Sequence, residues 1–191
     1  MATRHPFTWM DIQAQKIAFW LFLILALLLM VIQQVLGNPL MTEAAPSGIV
    51  SFELAGSLSN AREMLESWGP TGRVYAGLSL GTDYLFLIIY SIAISLGCVL
   101  ISRRFLRRSG LLSAVGVILA WAIFGAALFD SVENYALIQT LLGAEQSLWP
   151  VLARICAMPK FLIVGLGLLY ILLGAITWLA AKAKGGEMRA A

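Results

Sequence analysis

Residues 83–108, DYLFLIIYSIAISLGCVLISRRFLRR, decide the fold. Eighteen uncharged residues, Tyr84 to Ile101, stand between Asp83 and a basic run from Arg103 to Arg108. At helical rise they cover about 27 Å, close to the hydrocarbon thickness of a bilayer. Three more stretches have the same character: Ile17 to about Leu36, Leu111 to Phe129 with a helical pattern continuing to about Leu142, and Phe161 to Ala181. Only Ser102 to Gly110 separates the second from the third, so those two are expected to be antiparallel neighbours. The expected architecture is an all-α membrane protein. One transmembrane domain over residues 1–191 forms a four-helix bundle, up-down-up-down, with an outer loop at 37–82.

Composition agrees with lipid as the solvent. The 191 residues are 60% apolar and 12% charged, with mean hydropathy +0.87, against roughly 25% charged in soluble domains. The net charge of +3 is small and no basic aromatic face accompanies it, so nucleic acid is not an expected partner. His5 is the single histidine, which leaves no histidine metal or haem site and no histidine base inside the membrane. Cys98 and Cys156 fall near opposite bilayer faces, too far apart for a disulfide. Nucleophile–base pairs, phosphate loops and dinucleotide fingerprints are missing, so neither cofactor nor metal is expected.

Charge asymmetry sets an orientation. If the termini and loop 102–110 share one side, that side carries nine bases (Arg4, Lys16, Arg103, Arg104, Arg107, Arg108, Lys182, Lys184 and Arg189) against two acids. The other side has four bases and eight acids. The positive-inside rule then places both termini in the cytoplasm. A cleavable leader is the rival reading of the first span, but its apolar run exceeds the usual 7–15 residues and Thr42-Glu43-Ala44 is a poor cleavage site. Without a transit, retrieval or lipidation signal, a bacterial inner membrane is the expected location.

Within the outer loop, Asn60 and Glu63 form a capping-box pattern and Gly69-Pro70 a stop, which predicts a short amphipathic helix over 60–68. Ala61, Met64, Leu65 and Trp68 share its apolar face, suited to the membrane surface or to plugging the bundle mouth. Of the tryptophans, Trp9, Trp20, Trp68, Trp149 and Trp178 are expected at interfaces, and Trp121 mid-span.

The polar residues of the spans converge in depth. Gln33, Asp83, Asp130 and Lys160 all fall about 26–33 Å from the cytoplasmic edge. Angular placement puts Asp83 in line with Tyr90 and Gly97. Asp130 and Asn134 align with Gly116, Ala120 and Ala127, and Lys160 with Gly167, Gly174 and Trp178. Small residues mark close helix approach in membranes, so these ionisable groups are expected to face neighbouring helices. The candidate ligand-binding cluster is Asp83, Asp130, Asn134 and Lys160, with Glu133 and Arg154 at its rim and Lys160 paired to Asp130 or Asp83. The plainer alternative is interfacial charge that snorkels to water. Ser91 and Ser95 read as packing residues rather than nucleophiles.

Arg103, Arg104, Arg107 and Arg108 are candidates for contact with anionic lipid headgroups, besides their role in setting topology. The leading functional expectation is a noncatalytic protein that binds a lipid or amphipathic ligand through the outward cluster, or an accessory subunit of a membrane complex. Its expected partners are membrane lipids, a second copy, or a membrane-complex subunit. The alternatives are a membrane enzyme acting on a lipid or isoprenoid by carboxylate acid–base chemistry, and a small oligomeric ion- or proton-coupled transporter.

Overall fold

A computed structural model describes residues 4–105 and 109–190, the side chains of 182–190 excepted. Arg107, Arg108 and the side chains of Lys182, Lys184, Glu187 and Arg189 therefore lie outside the described residues. The elements are α1 (Ile12–Gly37), a 3-10 turn (Asn38–Leu40), α2 (Ile49–Glu53), α3 (Leu58–Phe105), α4 (Gly110–Leu141) and α5 (Leu148–Ala190). No strand occurs among the described residues. Four helices, α1, α3, α4 and α5, are long and apolar enough to cross a membrane.

Local chemistry sets the helix starts. Asp11 caps α1 by accepting from Ala14 N at 2.8 Å, and Ser109 caps α4 by accepting from Leu112 N at 3.3 Å. In α3 the expected Asn60 cap is replaced by Ser57, whose Oγ accepts from Asn60 N at 3.2 Å, while Asn60 Nδ2 donates to Ala55 O.

α3 is broken at Gly69, which has φ 59° and ψ −171°. A residue before proline is pushed out of the helical region, and only glycine takes a positive φ without a Cβ penalty. Pro70 then starts the second arm without a missing donor. Arg73 Nε spans the break to Leu65 O at 3.0 Å.

The helices extend beyond the expected limits. α1 begins at Ile12 rather than Ile17, and α5 at Leu148 rather than Phe161. Residues 70–82, read as outer loop, continue into the second span without interruption. The charge at Asp83 suggested a boundary, but amide donors from α1 and α4 satisfy it and the helix passes through.

Packing follows the small-residue stripes. A Cβ at Gly116 would run into the Tyr170 hydroxyl and Ser102, and one at Gly174 into Ile101. Polar groups tie the same contacts: Ser95 Oγ donates to Ala120 O at 2.7 Å, Ser102 Oγ to Ser113 O at 2.7 Å, and Tyr170 OH to Leu112 O at 3.0 Å.

A second core lies at the other end of the bundle, where Leu40, Phe52, Ala61, Leu65, Trp68, Leu137 and Ala153 bury one another. Trp68 is thus a core residue, and its Nε1 donates to Leu40 O at 2.7 Å. Cys98 and Cys156 are free thiols. α1 packs on α3 and makes no extended contact with α5, which itself packs on α4 and α3. A cleft remains between α1 and α5.

Candidate functional site

Lys160 is the hub of the polar residues. It follows Pro159, which leaves the Ile155 carbonyl without its intrahelical donor, and it enters the bundle from α5. Its Nζ lies 3.2 Å from Asp130 Oδ1, 2.9 Å from both carboxylate oxygens of Glu133, and 3.5 Å from Glu53 Oε2. Phe161 presents its ring 4.6 Å from the same ammonium. Asp130 Oδ2 accepts from Tyr90 OH at 2.8 Å.

Asp83 stands beside this group with different partners. Gln33 Nε2 donates to its Oδ1 at 3.0 Å and Asn134 Nδ2 to its Oδ2 at 2.6 Å. Ser79 Oγ holds Gln33 by donating to its Oε1 at 3.1 Å. No lysine or arginine among the described residues forms an ion pair with Asp83.

Five of the six residues expected to cluster therefore meet: Asp83, Asp130, Glu133, Asn134 and Lys160. Two details differ. Glu133 is not at the rim but fully buried, because Lys160 reaches inward to it. Lys160 pairs with Asp130, one of its two expected partners. Arg154 stays exposed and lies over Gly56, where a Cβ would meet its Cδ, and it makes no ion pair with the cluster.

Glu53 is the residue that sequence reasoning missed. It ends α2, a five-residue helix whose Phe52 is fully buried, and that anchor turns the glutamate onto Lys160. The signal was present in the apolar residues Ile49, Val50 and Phe52 just before an acid, but a loop residue cannot be assigned a depth by counting along a span. Burial pushes the Glu53 carboxyl above the usual range, and Lys160 opposes that shift.

A cavity of about 460 Å³ opens beside the cluster, in the range of small-molecule sites. Glu53, Asp83, Asp130 and Lys160 line one end of it. Its apolar walls come from Leu23, Leu27 and Met30 of α1, Phe86, Tyr90 and Ile94 of α3, and Phe161, Val164 and Leu168 of α5. It occupies the cleft between α1 and α5. Leu27, Met30, Phe161 and Leu168 are each about half exposed along it. No group of acids, cysteines and histidines among the described residues is arranged to hold a metal ion.

Arg103 and Arg104 lie elsewhere, at the far end of α3. Arg103 contacts His5 Nε2 at 2.9 Å, and Arg104 stacks over Trp178 at 4.4 Å. No family model, curated protein or solved structure matches the chain.

Proposed function

We propose that this chain is a noncatalytic integral membrane protein that takes an amphipathic ligand from the bilayer into the cleft between α1 and α5. The single observation that carries the reading is a cavity whose walls are mostly apolar and which is ionic where Glu53, Asp83, Asp130 and Lys160 line it. A ligand with a polar head and an apolar body matches that distribution, and the gap between two lipid-facing helices provides lateral entry.

The topology that goes with it is up-down-up-down. Contact pairs between neighbouring helices run in opposite register: Gln33 with Ser79 but His5 with Arg103, Asp83 with Asn134 but Ser102 with Ser113, and Lys160 with Asp130 but Tyr170 with Leu112. Both termini are then cytoplasmic by the basic-residue count, the ionic end of the cavity lies near the outer boundary, and residues 58–68 cover the outer mouth of the bundle. A bacterial inner membrane fits this reading, and its lipids are the first source of ligand.

Blocking the cleft tests it. Leu27→Trp and Leu168→Trp change exposed lining residues, so the fold tolerates them. Mass spectrometry of extracted lipids should find an amphiphile retained by the wild type and lost from both variants at unchanged thermal stability. Equal retention by all three overturns the reading.

A further inference from the structure

Resting on that reading, we infer that the head group taken at the ionic end is a cationic amine, and that Asp83 is its counter-ion. Four carboxyl groups, Glu53, Asp83, Asp130 and Glu133, gather there around one ammonium. An ammonium has three donors. Lys160 donates to Asp130 and Glu133 and pairs with Glu53 at 3.5 Å, so its single charge is already outnumbered by carboxyl groups before a phosphate or carboxylate arrives.

An anionic head would meet three acids on the cavity wall and no free cation among the described residues there. A cation meets Asp83, whose partners are the neutral amides of Gln33 and Asn134 and which forms no ion pair. It also meets Glu53, whose buried Oε2 lies 3.5 Å from Lys160 Nζ but accepts no hydrogen bond. Charge at membrane depth is costly unless paired, so the carboxylate without a counter-ion is the place where a ligand cation gains most.

The aromatic rings agree. Phe86 lies on the cavity wall one turn from Asp83, and its ring packs 5.3 Å from that of Tyr90. Ring faces favour ammonium groups. From Asp83 to Ile94 the wall runs about 16 Å at helical rise, which suits a single alkyl chain or a rigid apolar body of that length. The ligand class is a lipophilic amine with one cationic head.

The test uses the full chain in phosphatidylcholine nanodiscs, titrated separately with dodecylamine, dodecanol and dodecyl phosphate while the thermal midpoint is followed. Dodecylamine is expected to act at concentrations lower than dodecanol by about tenfold or more, the equivalent of ~1.4 kcal/mol, with dodecyl phosphate weakest. Asp83→Asn should bring the amine down to the level of the alcohol, since the amide carbonyl can still accept from Asn134 but carries no charge. If that variant does not fold, Glu53→Gln is expected to reduce the same preference in part.

Equal action of amine and alcohol on the wild type overturns the amine assignment and leaves the amphiphile cavity standing. Preference for the phosphate overturns it as well. Saturable binding of no probe, together with unaltered lipid retention in Leu27→Trp, removes the underlying function instead.

Discussion

Lys160 on α5 donates a 2.9 Å hydrogen bond to Glu133 on α4, and both side chains are buried. Removing one partner of a buried ion pair leaves an uncompensated charge and typically costs about 3–5 kcal/mol. Lys160→Met should therefore lower the thermal midpoint in detergent sharply. Adding Glu133→Gln should recover part of the loss, because it removes one of the carboxylates left facing the others. A single variant as stable as the wild type would mean that the cluster is already neutral without its lysine.

The close approach of α3, α4 and α5 rests on Gly116, where a side chain collides with Tyr170 and Ser102. Gly116→Leu should destabilise the bundle by at least the roughly 1–3 kcal/mol typical of overpacking. Gly125→Ala on the same helix is the control. No heavy atom lies near that position, so the change should be neutral or mildly stabilising. Thermal unfolding of the two variants side by side distinguishes a packing role from a general helix effect.

Trp68 closes the core at the other end of the bundle with an indole hydrogen bond to Leu40 O at 2.7 Å. Trp68→Phe keeps an aromatic ring against Phe52 but leaves that carbonyl without its donor, at a cost of about 1–3 kcal/mol. Protease cleavage within residues 37–57 should become faster in this variant, since α2 packs against the same core.

The Glu53 carboxyl has its titration raised by burial, in the presence of Lys160, Asp130 and Glu133, with Asp83 also nearby. A carboxyl raised in the folded state contributes stability that is fully present below its ordinary value and is lost as pH rises through the folded value. Docking of α2 should therefore weaken from mildly acidic toward alkaline pH. In Glu53→Gln that pH dependence should flatten, as read by hydrogen exchange of residues 49–53. A profile unchanged by the substitution would assign the titration to another group.

At the opposite end of the bundle the His5 imidazole is lowered by burial and by the Arg103 guanidinium. The sign is reversed here: the contribution is present above the ordinary histidine value and is lost as pH falls through the folded one. Acidification toward pH 5 should release the N-terminal segment from the end of α3. Fluorescence of Trp121, whose Nε1 donates to Arg4 O, should report it, and His5→Gln should abolish the change.

The four apolar helices were legible in the sequence because lipid imposes a local rule: every residue of a span must be apolar or paired, for a length fixed by the bilayer. The same rule made charge conspicuous, so counting along the helices from the basic residues at one end of the spans put Asp83, Asp130 and Lys160 at one depth. Helical angle then aligned each with the small residues that face its neighbours. Depth and angle are properties of single helices and need no knowledge of how those helices assemble.

Three things depended on assembly. Residues 70–82 continue as helix because Gln33 and Asn134, from two other helices, satisfy Asp83. Lys160 selects Asp130, Glu133 and Glu53 over Asp83, which depends on how α5 packs against α4 and α2. Glu53 joins the cluster because a loop of about 20 residues folds back until Phe52 finds the core. Periodicity and depth follow from the chain's own geometry, and the sequence alone determined them. Partner choice and the cavity between α1 and α5 arise from contacts between segments far apart in the chain, and only the tertiary structure decided those.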